Sequence, residues 1–172
     1  LLDGNAGWIQ TPIGGDGWTA LQMSIRFGRQ EVTEVLIQAG ADVDRANPYG
    51  WTAVHYAAMN GNIAALRLLL KNGADGNRKA QQGETPLHWA VNNSQSEATE
   101  ILIRSGVRLN PLDDLGRTPL DILQGDVPLR KTLRDAGCLS AKELAATYDW
   151  TSSGKTLDKL RASQEQRSRT AP

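Results

Sequence analysis

Gly17, Gly50, Gly83 and Gly116 stand 33 residues apart, and Gly40, Gly73 and Gly106 form a second ladder with the same step. A fixed period of roughly 20 to 50 residues implies stacked supersecondary units that share one core, because a unit that small cannot bury a core alone. Around the first ladder the chain reads GWTALQMSI, GWTAVHYAA, GETPLHWAV and GRTPLDILQ. Around the second it reads EVLIQAGADVD, RLLLKNGADGN and EILIRSGVRLN, followed by a degenerate LRDAGC. With Gly28 and Gly61, nine of the 17 glycines punctuate this unit, and Gly137 is a displaced tenth.

Each unit encodes two helices. Thr19, Thr52, Thr85 and Thr118 sit where a hydroxyl can accept from the unpaired amides of a first helical turn. Pro86 and Pro119 follow at the first helical position, where a missing N–H costs nothing, and Ala20 and Ala53 fill that place earlier in the chain. Ala57, Ala58 and Ala90 allow close helix packing, and Gly28 and Gly61 break the chain into a second helix. That helix carries Val35-Leu36-Ile37, Leu68-Leu69-Leu70 and Ile101-Leu102-Ile103 on one apolar face. The later glycines end it in the left-handed conformation and send the chain out into a loop.

These residues resemble the ankyrin repeat, G-x-T-P-L-H-x-A-A followed by L-L-x-x-G-A-D-x-N, over residues 17 to 138. The resemblance implies an all-α repeat solenoid of helix-turn-helix units with protruding β-hairpin loops. Four repeats are expected at 17–49, 50–82, 83–115 and 116–138. An irregular flank (1–16) would precede them, and a C-terminal capping helix (139–150) and a basic polar tail (151–172) would follow. The pattern departs in two places. Ser94 takes the place of Gly28 and Gly61, leaving the turn between the third pair of helices without its glycine. The fourth unit is two residues short and carries Thr132 and Arg134 where the others are apolar, as a terminal cap would.

Ser140 with Glu143 has the pattern of a capping box, and Leu139 with Leu144 that of a hydrophobic staple, which predicts a helix over 141–148 with Leu144 and Tyr148 lying on repeat four. In the tail, Lys155, Lys159, Arg161, Arg167 and Arg169 against Asp158 and Glu165 give a net charge of +3, and a helix is expected from Thr156 to Gln166. The remainder carries −3, so the overall charge is zero and a wholesale electrostatic binder of nucleic acid is disfavoured. At the other end, Leu21, Met23, Ile25 and Phe27 suggest an apolar outer face on repeat one. That face is expected to be covered by the first 16 residues or by a partner.

Catalytic and metal chemistry find little to stand on. His55 and His88 fall one repeat apart at the H of the motif, and Gln22 and Asp121 replace them in the outer units, so hydrogen bonding within the capping turns is the expected role. A zinc site would need three or four converging ligands. Gly154-Lys155-Thr156 imitates the end of a phosphate-binding loop, but Asp149 stands where its first glycine belongs. Asn92-Asn93-Ser94 is a glycosylation sequon at a helix end, expected to be unused. Cys138, the single cysteine, follows the glycine that ends repeat four and is expected to pack as a small apolar residue. No nucleophile with a paired base and no facing carboxylate pair emerges, so no enzyme activity, cofactor, metal or small-molecule substrate is expected.

What the resemblance implies instead is a protein-binding surface at the hairpin tips and on the concave side of the first helices. Carried over position by position, it comprises Asp16, Trp18, Arg26 and Phe27 in repeat one, and Tyr49, Trp51, Met59 and Asn60 in repeat two. Lys79, Gln82, Glu84, Asn92 and Asn93 belong to repeat three, and Leu115 and Arg117 to repeat four. Trp18 and Trp51 occupy the free position after the glycine, so they are either hot-spot residues or intramolecular packing against the hairpin stems. Tyr56 and Trp89 are expected to be partly buried between repeats. The expected function is a non-enzymatic scaffold or adaptor within a multi-subunit assembly, in the cytoplasm or nucleus, with an organelle lumen as the other setting. Both flanks would contact the same assembly. The alternative, motivated by the start at Leu1, is a regulatory module of a longer multidomain chain whose catalytic or channel domain would lie outside these residues. No apolar run approaches membrane-spanning length.

Overall fold

The computed structural model describes residues 6–13 and 17–147. Its helices are α1 (Ala20–Arg26), α2 (Gln30–Gln38), α3 (Ala53–Met59), α4 (Ile63–Lys71), α5 (Pro86–Asn92), α6 (Ser96–Arg104), α7 (Pro119–Ile122), α8 (Val127–Asp135) and α9 (Ala141–Ala146), with short 3-10 turns at Ala6–Gln10 and Gln81–Gly83. The first helix of each unit packs on the first helix of the next, in the order α1, α3, α5, α7. The second helices form a parallel row, α2 on α4 and α4 on α6. The core runs between the two rows as one continuous layer, with Leu21, Ile25, Leu66, Leu69, Leu87, Leu102, Leu120, Leu129 and Leu133 fully enclosed. Each such side chain contributes about 2 kcal/mol of burial.

All four threonines cap their helices, and each cap is reciprocal. The threonine side chain bonds the amide of the third helical residue, and that residue's side chain, Gln22, His55, His88 or Asp121, bonds back to the threonine amide. Between the paired helices Ser94 adopts φ 52°, so the third turn keeps the left-handed geometry that Gly28 and Gly61 supply elsewhere. A serine tolerates this at a cost of order 1 kcal/mol.

The loops differ from the expected β-hairpins. Each is closed by a single backbone bond at its base: Asn47 N to Trp51 O at 2.9 Å, Ala80 N to Glu84 O at 2.8 Å, and Asp113 N to Arg117 O at 3.0 Å. One such bond closes a turn but does not make a strand pair. Among the described residues the one β-bridge joins Ile13 to Trp18. Neighbouring loops are tied to each other instead, Gln81 N to Tyr49 O at 2.8 Å and Asp114 N to Gln82 O at 2.9 Å. A second series runs beside it. Side chains of Gln10, Asp44, Asn77 and Asn110 accept from the amides of Asp42, Asp75, Arg108 and Leu139 in the following unit, at 2.7 to 3.1 Å. Gln10 therefore does for repeat one what an Asp or Asn does for each later repeat.

Gly50 and Gly83 permit this close approach. Both have φ near +75°, and a Cβ on Gly83 would lie 2.9 Å from the Asp114 amide nitrogen and 2.5 Å from its carboxylate. On Gly50 it would press within 3.1 Å of the Ala80 backbone.

The two ends of the stack are unlike. At the C-terminal end Ser140 and Glu143 form the expected capping box, and Arg134 reaches Glu143 at 2.6 Å. Arg134 and Ser140 together hold the Glu143 carboxyl down at about 2. The helix ends at Ala146, Leu144 is part-buried, and Tyr148 and the tail with its Thr156–Gln166 segment lie outside the described residues. At the N-terminal end the apolar face is not the one expected. Leu21 and Ile25 are enclosed in the core, whereas Phe27 on the turn and Val32 and Val35 on α2 are at least half exposed. The positions that match Val32 one and two repeats on, Ala65 and Ala98, are completely buried. α4 and α6 each have a preceding second helix against them, α2 and α4 respectively, whereas α2 has none among the described residues. Leu1, Leu2 and Asp16 lie outside the described residues.

Gly83→Ala is expected to lower stability by about 1–3 kcal/mol, since it combines a positive φ with a backbone clash, while Val35→Lys should change it by less than about 0.5 kcal/mol. Urea unfolding of the two variants at equal m-value checks both.

Candidate interaction face

The third residue of each first helix reaches beyond its own cap. Gln22 Nε2 donates to the carbonyls of Arg45 (2.8 Å) and Trp51 (3.0 Å) in the next loop, and the Nε2 edge of His88 meets the Arg117 carbonyl at 3.2 Å. His55 Nε2 makes no bond of good geometry, but the carbonyls of Glu84 and Arg78 lie close enough to favour its protonated form. Both histidines accept on Nδ1 from a threonine amide at 3.1 Å. Burial outweighs the carbonyls and pushes each imidazole down to about 4, so both are neutral at pH 7 and neither is placed as a general base. Among the described residues no group of three His, Cys, Asp or Glu side chains is arranged to hold a metal ion. Cys138 is enclosed, and burial raises its thiol to about 11, which makes it a packing residue and a poor nucleophile.

The aromatic residues form one continuous row. Arg26 Cζ lies 4.6 Å over the Trp18 ring, Trp18 packs on Tyr56 at 4.5 Å, Tyr56 on Trp51 at 4.9 Å, and Trp51 on Trp89 at 4.4 Å. Tyr56 is buried and takes a hydrogen bond on its hydroxyl from Asn47 Nδ2, while Trp18, Trp51 and Trp89 remain part-exposed. The row spans repeats one to three. Packing and exposure coexist here: each indole has a ring neighbour and still presents an edge to solvent. Pairs of this kind add about 0.5–1.5 kcal/mol beyond burial. Sequence reasoning placed Tyr56 and Trp89 between repeats but did not connect them to Trp18 and Trp51. The signal was available, since the residue after the glycine and the residue after the motif histidine recur at a fixed spacing of five.

The remaining candidate positions fall into two further groups. Tyr49, Gln82 and Leu115 project at the loop tips, and Tyr49 and Leu115 are 51% and 75% exposed. Arg26, Phe27, Met59, Asn60, Asn92 and Asn93 lie at the far ends of the first helices. There Asn60 Nδ2 reaches the Arg26 carbonyl at 3.5 Å, and Asn93 Nδ2 the Trp89 carbonyl at 2.9 Å. Lys79 Nζ donates to the Leu112 carbonyl at 2.6 Å and so joins two loops.

Asp113 was not singled out in the sequence. Its side chain is buried, its Oδ1 accepts from the amides of Leu115 and Arg117, and its Oδ2 takes the Arg117 guanidinium at 2.8 Å. Burial alone would raise this carboxyl, but the Arg117 amide and guanidinium outweigh it and hold it below the ordinary range. Asn47 does the same for the amides of Tyr49 and Trp51. An Asn or Asp four residues before the exposed position is the readable sign of such a loop. Glu84 is shifted the opposite way: burial and then Asp113 raise its carboxyl, and Arg117 offsets only part of this.

Two rows of helices, reciprocally capped and joined loop to loop, with an aromatic stripe along the loop side, make a helical repeat solenoid with a surface suited to recognition. The chain belongs to the ankyrin-repeat family: a model of ankyrin repeats in three copies matches residues 1–80, and a single ankyrin-repeat model matches residues 82–114. The fourth unit lies beyond the matched residues yet folds into the same capped pair, α7 with α8. Among curated proteins none matches the chain. Repeats of this family are generally protein-interaction modules and typically non-catalytic. No helix of the described residues is long and apolar enough to cross a membrane.

The histidines give a prediction in pH. Each folded-state pKa lies below its unfolded value of 6.5, so the unfolded chain binds more protons between pH 6.5 and 4, and the stability present above pH 6.5 falls away as pH drops through that window. The loss is of order 2–3 kcal/mol per histidine. His88→Gln, which copies the bonding of Gln22, should keep the cap and remove that residue's share of the slope, as read from urea midpoints at pH 4 to 7.

Proposed function

We propose that this chain is a non-enzymatic scaffold or adaptor that holds another protein, as a subunit of a larger intracellular assembly, on its loop tips and the concave face of its first helices. The observation that carries this reading is the aromatic row across three repeats, whose indoles stay part-exposed. Large rigid rings ordered in advance lose little conformational freedom on binding, which is why tryptophan and tyrosine dominate interface energetics. The proposed surface extends to Phe27, Asn60, Asn92 and Asn93 at the far helix ends and to Gln82, Leu115 and Arg117 at the loops.

Replacing Trp18 and Trp51 together by alanine should weaken the complex with the partner that co-purifies with the native chain by more than about 2 kcal/mol, or roughly 30-fold in Kd. Because both rings also pack on Tyr56, the double variant should lose about 2 kcal/mol or more of folding stability as well, so binding is measured by calorimetry below its unfolding transition. An affinity equal to that of the native chain would remove the row from the binding site.

A further inference from the structure

The residues that follow the four loop glycines are Trp18, Trp51, Glu84 and Arg117. Three of these are engaged within the molecule. Trp18 lies between Arg26 and Tyr56, Trp51 between Tyr56 and Trp89, and Arg117 is bound to Asp113 through its Nε and Nη2 atoms, each at 2.8 Å. The Glu84 carboxylate differs: it makes no hydrogen bond or ion pair among the described residues, although it is part-buried and shares its side of the stack with Asp113. Its backbone is fixed, since its carbonyl accepts from Ala80 N at 2.8 Å and its neighbour Thr85 caps α5. The carboxylate therefore springs from a fixed stretch of backbone, part-buried and in no ion pair among the described residues, one repeat on from Trp51.

We propose that Glu84 selects the partner by its charge: the face takes a polypeptide segment that lays an apolar or aromatic side chain on the Trp18–Trp51 row and places a lysine or arginine on the Glu84 carboxylate. This rests on the reading of that face as the binding surface. An ionised carboxylate only accepts, and a cationic donor bonds it about twice as strongly as a neutral one. The cation whose charge reaches Glu84, Arg117, is committed to Asp113. The Lys79 ammonium bonds the Leu112 carbonyl. An anionic partner would meet Glu84 with Asp113 and Asp114 close behind it, and like charges brought together at an interface cost affinity. The row and the acid thus ask for different side chains at successive repeats, which gives the bound segment a direction along the stack.

The probe is a random peptide library displayed on phage and selected on the immobilised native chain, with Glu84→Gln, Glu84→Lys and the double variant Trp18→Ala, Trp51→Ala compared at equal folded fraction by circular dichroism. Selected peptides should share a lysine or arginine at a constant distance from a large apolar residue. A synthetic copy should bind Glu84→Gln at least about tenfold more weakly. Replacing its basic residue by alanine should cost the same on the native chain and nothing further on Glu84→Gln. Selection on Glu84→Lys should favour aspartate or glutamate at that place. Peptides that need the tryptophans but bind Glu84→Gln unchanged would overturn the charge selection and leave the face intact. Peptides indifferent to the tryptophans, or no enrichment at all, would overturn the face and the selection with it.

Discussion

The side chain three residues into each first helix carries two duties at once, and the stack depends on their combination. Through one edge Gln22, His55, His88 and Asp121 close the threonine cap of their own helix. Through the other, Gln22 and His88 bond carbonyls of the following loop, while Asp121 uses the same Oδ2 that closes its cap to accept from Ala141 N at 2.8 Å. A helix start and a repeat interface are thus fixed by one side chain, so neither forms well without the other. This local coupling is what allows units without cores of their own to fold as a single cooperative body. The neutral imidazole that burial imposes is also the form the cap needs, since a protonated ring would lose Nδ1 as an acceptor.

The architecture was legible because its causes are periodic. Glycine, threonine and leucine recur at 33-residue spacing, and each has one physical reason to do so. What the period does not record is departure from it. Ser94 left the third inter-helix turn without its glycine, yet the turn survives because the demand is for a left-handed backbone, which serine meets at modest cost. The loops were expected as β-hairpins, but their hydrogen bonds run chiefly between repeats, a non-local choice that no single unit encodes. Likewise the apolar end of the stack was sought on the first helix of repeat one. Leu21 and Ile25 are buried in the core, and the exposed positions are Phe27 on the turn and Val32 and Val35 on α2, whose apolar pattern matches that of its buried counterparts.

The candidate face was legible one residue at a time but not as a surface. Trp18 and Trp51 stand out by composition and spacing. That Tyr56 wedges between them, and that Trp89 extends the row into the third repeat, depends on how side chains of neighbouring repeats meet, which sequence spacing does not express. Asp113 and Glu84 show the same limit in electrostatic form. Both are acids near the loop, and their opposite behaviour depends on which of them Arg117 reaches.

The dissimilar ends of the stack bear on how copies of this chain meet one another. A solenoid whose two ends were complementary would add copies front to back without limit, because a heterologous contact that does not close propagates into a filament. Among the described residues the leading end presents Phe27, Val32 and Val35, whereas the trailing end carries α9, fastened by the Arg134–Glu143 pair. Seating valines against that ion pair would strip water from charges and return no hydrogen bond. The chemical mismatch between these two described faces works against seating one on the other, even though every internal repeat interface is a contact of the front-to-back kind.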